Sequence, residues 1–176
     1  MTDTVTASHG WPGLRLALAV GLLAAAADQA SKWAVLEYVM NPPRLIAVTP
    51  FFNLTLGFNR GVSFGFLGDG AAGPWLLSAL AVAIIAALAL WAWRSASRAE
   101  AAALGAIIGG AVGNVIDRVR QGAVTDFLDL HAFGWHWPTF NLADVGITGG
   151  VGLLLVHGWR QSRPAPEADE TREAAP

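Results

Sequence analysis

From Pro74 to Trp93 the chain runs for twenty residues without a charged side chain. A helix crossing the hydrocarbon core of a bilayer needs about 20 apolar residues. It must also satisfy every backbone N–H and C=O within itself, because lipid offers no partners. The run therefore reads as a membrane-spanning helix over 74–93. Three further segments fit the same description: 16–36, with Asp28 and Lys32 in its second half; 101–117, ending on Asp117; and 140–159, interrupted by Asn141, Asp144 and His157. Charged residues make up 14% of the chain, against about 25% in soluble domains, which favours the bilayer. The first segment resembles a secretory signal peptide, with an Ala-rich stretch before Asp28. Only Arg15 precedes it as a basic residue and three spans follow, so it reads as a retained helix.

The eight tryptophans mark the span ends. Trp11 and Trp33 bracket the first, Trp75 and Trp91/Trp93 the second, and Trp135/Trp137 and Trp159 the last. An interfacial aromatic belt has this distribution. Four spans place both termini on one side, together with Arg15, Arg94, Arg98, Arg160, Arg163 and Arg172. Lys32, Arg44, Arg60, Arg118 and Arg120 fall on the other. The short loop holding Arg94 and Arg98 reads as cytoplasmic by the positive-inside rule, and both termini go with it. Outside lies a cap over 41–68. Phe52, Leu54, Leu56 and Phe58 alternate there at period two between prolines and Gly57, which predicts short strands. A second outer segment runs from Arg118 to Thr139, and 161–176, rich in Pro, Ala and Glu, reads as a disordered cytoplasmic tail. The expectation is an all-α integral membrane protein, one domain over 1–160, with four transmembrane helices and a small extracytoplasmic β-strand cap. Gly105, Gly109 and Gly113, then Gly146 and Gly150, recur every four residues and predict close helix packing.

The net charge of −2 offers no basic face for nucleic acid. With no cysteine in the chain, disulfides, thiolate catalysis and sulfur-ligated zinc are excluded. What remains is a set of polar residues at one depth. A charge at mid-bilayer costs roughly 2.5–3.5 kcal/mol, so each requires a reason. Lys32 is one turn beyond Asp28 on the same face. Asn114, Asp117 and Arg118 gather at the outer end of the third span. Asn141 and Asp144 share a face at the start of the fourth, and Asp126 lies between the two spans. All fall at or near the outer boundary. Asp28–Lys32 and Asp117–Arg118 read equally well as ion pairs holding helix ends. Asp144 has no basic residue three or four positions away, so its partner comes from elsewhere, and Asp126 is the natural candidate. Two carboxylates at one site do not both ionise easily. Such a pair supplies one base for water and one acid for a peptide carbonyl, with no metal, cofactor or covalent intermediate.

Five blocks together resemble the lipoprotein signal peptidases (signal peptidase II): Asp28-Gln29-Ala30-Ser31-Lys32, Phe58-Asn59-Arg60-Gly61-Val62-Ser63-Phe64-Gly65, Gly109-Gly110-Ala111-Val112-Gly113-Asn114-Val115-Ile116-Asp117-Arg118, Val124-Thr125-Asp126-Phe127 and Phe140-Asn141-Leu142-Ala143-Asp144. The resemblance implies an inner-membrane aspartyl endopeptidase, inhibited by globomycin. Its substrates would be prolipoproteins, cut just before a cysteine that already carries diacylglycerol. It implies Asp126 and Asp144 as the catalytic pair. Asp28, Lys32, Asn59, Asn114, Asp117, Arg118 and Asn141 would be the supporting or substrate-binding residues. Membrane lipid is the surrounding partner, and a monomer is expected. Thr125 stands where the family more often has an aliphatic residue, and Ser63 where it often has Ala. Val145 and Gly146 stand where Ser and a small residue are usual.

Three other chemistries compete. Gly61-Val62-Ser63-Phe64-Gly65 matches a serine-hydrolase pattern, but that pattern needs a strand-turn-helix setting and a histidine base, with His131 and His136 on the outer side. A small transporter or lipid-binding protein without protease activity would line the whole membrane depth with polar groups. Here the second span carries none, and the others carry theirs in the outer half. Asp129, His131 and His136 are zinc-ligand types, though the segment reads more simply as an interfacial loop. Asn53-Leu54-Thr55 matches a glycosylation acceptor by chance.

Overall fold

The computed structural model describes residues 11–61 and 72–162. The sequence-predicted tail over 161–176, all but its first two residues, lies outside the described residues, as do the end of the cap and Ser63. Four helices follow the apolar runs: α1 (Trp11–Ala34), α2 (Ala72–Arg94), α3 (Arg98–Gln121) and α4 (Leu142–Gln161). All four are long and apolar enough to cross a membrane. The first span is longer than the sequence predicts at both ends: α1 starts at Trp11, and a π-helical turn, Val35–Val39, continues it.

α3 is the most buried span and the hub of the bundle, touching α1, α2 and α4. Its small residues permit this. A Cβ at Gly109 would strike the Gly21 backbone of α1, and one at Gly113 would strike the Asp28 carboxylate. The predicted glycine face thus lies against α1. A second stripe, at Ala103, Ile107 and Gly110, receives Gly150 and Ala143 of α4. In lipid, where burying apolar area gains little, backbone approach of this kind supplies the packing energy.

The cap is a four-stranded antiparallel sheet in the order β1 (Ile46–Thr49), β2 (Phe52–Asn59), β3 (Val124–Ala132) and β4 (Trp135–His136). The short strands expected over 41–68 are β1 and β2. The segment expected as an interfacial loop instead supplies β3 and β4. Leu54, Leu56 and Phe127 pack with Val35 and Met40 beneath the sheet. The most buried residue of β2 is Asn53, outside the period-two apolar set, because its amide donates to the buried Asp129 carboxylate at 2.8 Å.

Candidate active site

Each carboxylate arrives on a different element. α3 ends at Gly122, whose φ of 74° suits glycine and costs other residues about 1 kcal/mol or more. The chain then reverses directly into β3. Two ties fix the start of that strand: Thr125 N donates to Asp117 Oδ2 at 2.9 Å, and Gln121 Nε2 donates to Thr125 Oγ1 at 2.7 Å. The departure from an aliphatic residue at 125 is thereby accommodated, since the hydroxyl has a partner. Asp126 follows, only 2% exposed, opposite Gly57 of β2. The β2–β3 register slips between Leu54 and Gly57; irregularities of this kind re-aim side chains near functional sites.

Asp144 sits at the third position of α4, inside a capping box. Asn141 Oδ1 accepts from Asp144 N at 3.1 Å, and Asp144 Oδ2 accepts from Asn141 N at 3.1 Å. Such a cap is worth about 1 kcal/mol to the helix. Here it also locks the carboxylate's direction.

Two amides connect the aspartates. Asn141 Nδ2 donates to Asp126 Oδ1 at 2.7 Å and to Asn114 Oδ1 at 3.2 Å. Asn114 Nδ2 donates to Asp144 Oδ1 at 2.9 Å. Lys32 Nζ donates to Asn114 Oδ1 at 3.1 Å, which forces the amide group of Asn114 toward Asp144. Lys32, 3% exposed, also pairs with Asp28 at 2.8 Å and Asp117 at 2.9 Å. Asp28 Oδ1 accepts from Ala143 N at 2.9 Å and so pins the first turn of α4. Gln29 Nε2 bridges Asp28 and Asp117.

Of the nine residues named from sequence, eight join one connected arrangement. Asn59, at the end of β2, hydrogen-bonds Asp126. Arg118 is placed differently from the expected Asp117–Arg118 pair. Asp117 turns to Lys32 because α3 and α1 pack closely enough to bring the ammonium to it. The guanidinium of Arg118 instead lies within electrostatic range of Asp144, Asp126 and Asp117, and its buried Nε has no hydrogen-bond partner. Gln29 and Gln121 received no role from sequence. A glutamine within an apolar span is the signal that would have singled out Gln29.

Burial pushes the Asp126 carboxyl up from 3.8 to about 6, and the Asp144 charge adds to this. Hydrogen bonds from Asn141 and Asn59, and the Lys32 charge, act in the opposite sense. Two openings reach the pair. A cavity of about 450 Å³ under the β2 end is lined by Asp126, Asn59 and Thr139. A mostly apolar groove of about 440 Å³ is lined by Asp144, Val145, Thr148 and Gly149 of α4 and by Leu130, Trp137 and Phe140. Val145 therefore serves a hydrophobic wall.

The zinc alternative is not supported by the geometry. His136 Nδ1 pairs with Asp129 at 2.8 Å, and His131 stacks on the His136 ring with centroids 4.9 Å apart. Among the described residues no three His, Cys, Asp or Glu side chains converge as a metal site. The Asn53 amide, seconded by His136, holds Asp129 below the usual carboxylate range.

A family model described as signal peptidase (SPase) II matches residues 20–160. The lipoprotein signal peptidase of Methylobacterium sp. (strain 4-46) is 47% identical over 153 residues, 83% of this chain and 93% of that one. The one from Burkholderia mallei (strain SAVP1) is 42% identical over 167 residues, covering 94% and 99%. A bacterial membrane enzyme solved by the in meso method at 1.9 Å superposes with a TM-score of 0.74 at 27% identity, covering 89% of this chain and 100% of that one.

Proposed function

The chain belongs to the signal peptidase II family, and we propose that it is an intramembrane aspartyl endopeptidase acting on diacylglyceryl-modified prolipoproteins. It cuts just before the lipidated cysteine, with Asp126 and Asp144 as the catalytic pair. The family and the four apolar helices make it a multi-pass bacterial membrane protein. In the proposed orientation both termini are cytoplasmic and the site lies near the outer leaflet of the inner membrane. The observation that carries the reading is the amide bridge from Asp126 through Asn141 and Asn114 to Asp144. It gathers two carboxylates from separate elements at one end of the bundle.

The two aspartates are not equivalent. Asp144 accepts on both oxygens, from Asn114 and from Asn141 N, and its place in the capping box fixes its direction. Asp126 is the more buried and is the one whose proton is retained to about pH 6. Asp144 then takes the proton of the attacking water. Asp126 gives its own to the peptide carbonyl oxygen as the tetrahedral intermediate forms; on collapse Asp144 passes the water's proton to the leaving nitrogen and Asp126 recovers a proton from the intermediate's hydroxyl. The apolar groove beside Asp144 suits an acyl chain, and the polar cavity beside Asp126 suits the peptide. The deciding experiment is incubation of the purified chain, in lipid, with a diacylglyceryl-modified prolipoprotein. Cleavage just before the modified cysteine is expected; an intact substrate with a folded enzyme would sink the proposal.

The proton assignment has a pH consequence. An exposed Asp loses its proton near 4, whereas Asp126 keeps it to about 6, so between those values the folded state binds more protons than the unfolded one. Stability contributed at this site falls as pH rises through that window. The alkaline limb of kcat/KM, which reports the free enzyme, is expected to descend from about pH 6. Asn141→Ser keeps a helix-capping oxygen but removes the amide that favours ionised Asp126. Its limb moves to higher pH; a limb unmoved or shifted downward contradicts the assignment.

The groove can be tested without disturbing the packing. A Cβ at Gly149 meets nothing within 4 Å, and Leu is the better helix former by up to about 1 kcal/mol. Gly149→Leu is expected to raise KM roughly ten-fold, about 1.4 kcal/mol, with kcat held and thermal stability undiminished. An unchanged KM would place the acyl chain elsewhere.

A further inference from the structure

The β3–β4 hairpin closes with Phe133 and Gly134, at φ 52° and 79°. This two-residue turn matches strand twist, and asparagine and glycine are its usual occupants. A phenylalanine in the left-handed region is strained, and here its ring is fully exposed, so no contact within the described residues offsets the strain. The ring is therefore placed for something outside the chain. Its neighbours share the character. Trp135 and Trp137 are exposed and meet edge to face at 5.7 Å, and residues 130–137 contain no Lys, Arg, Asp or Glu.

The hairpin's depth follows from what it stands beside. Leu130 and Trp137 form one wall of the groove whose other wall is Thr148 and Gly149. Those two lie six and seven residues beyond Leu142, about 9–10 Å down α4 at 1.5 Å per residue. The base of the hairpin thus lies beside the outer part of a span, and its tip is exposed. The short edge strand β4 sets a limit. Its unpaired backbone groups forbid the hydrocarbon centre but tolerate the headgroup boundary, where indole N–H groups find partners and the rings stay apolar.

We propose that the β3–β4 hairpin is a membrane-inserted anchor, with Phe133, Trp135 and Trp137 seated in the lipid interface alongside α4. The cysteine-free sequence permits a direct test. Phe133→Cys, spin-labelled and reconstituted in phosphatidylcholine–phosphatidylglycerol vesicles, is compared with Leu153→Cys, on the exposed surface of α4, and with a free aqueous label. Collision with oxygen should exceed collision with a nickel chelate, giving a depth between the two references. Water-like accessibility overturns the proposal. So does spin–spin broadening that persists at high lipid-to-protein ratio, which would assign the tip to a second copy of the chain. If the labelled variant misfolds, the natural chain serves: lipids brominated near the carbonyl should quench a fraction of its fluorescence that Trp135→Phe/Trp137→Phe lacks, and equal quenching of both proteins overturns it. Neither measurement needs substrate, so failure of cleavage and failure of insertion are separate outcomes.

Discussion

Asp126→Asn and Asp144→Asn each reduce cleavage of a diacylglyceryl-modified prolipoprotein by at least 10²-fold and up to about 10⁴-fold, the range for loss of a positioned acid or base. The loss appears in kcat, because the proton transfers occur only in the transition state. The double variant is expected to be no worse than the poorer single one, since a pair that shares one proton fails as a unit. The two substitutions should differ in stability. At 126 the introduced amide keeps an oxygen for the buried Asn141 Nδ2, the exposed Asn59 can turn to water, and the desolvation of a buried acid disappears, so thermal stability holds or rises. At 144 one oxygen must replace two. Either Asn114 Nδ2 or Asn141 N then faces another donor, and an unsatisfied buried donor costs about 1–3 kcal/mol. A folded variant of either kind that retains near-parental kcat removes that aspartate from the chemistry.

The spans were legible because the bilayer imposes their length and their apolar surface; Asp144 stood out as an acid without a basic residue one turn away, and Asp126 as the carboxylate that could meet it. β3 was not legible. Asp126 and Asp129 interrupt its apolar pattern, acidic residues are poor strand formers, and its pairing partner β2 is some seventy residues away. Its buried acids are tolerated only because amides from Asn53 and Asn141 meet them, a long-range fact with no local signature. The Lys32 partnership was half legible. Spacing gave Asp28, one turn away. Asp117 and Asn114 required knowing that α3 packs against α1 at Gly109 and Gly113. The same packing explains why Asp117 turns to Lys32 rather than to Arg118, the pairing that was one of two sequence readings, and why Arg118 faces the two aspartates as well.

Lys32→Met is expected to be the most destabilising substitution in the bundle. One buried ammonium offsets two buried carboxylates, Asp28 and Asp117, and removing one partner of a buried pair costs about 3–5 kcal/mol. Methionine fills similar volume, so the loss is electrostatic. The measurement is thermal or denaturant unfolding in lipid or detergent. Adding Asp28→Asn and Asp117→Asn to Lys32→Met restores most of the stability, because each introduced amide keeps an acceptor for Ala143 N or Thr125 N and no charge is left unpaired. Activity separates the two roles of the lysine. With no ammonium on Asn114 Oδ1, only the 3.2 Å bond from Asn141 Nδ2 holds that amide in place, so its hold on Asp144 loosens and the neutral triple variant is expected to fold yet stay at least ten-fold down in kcat. Recovery of both stability and activity would make Lys32 a charge-balancing residue alone. Recovery of stability alone makes it a positioning residue, acting on Asp144 through Asn114.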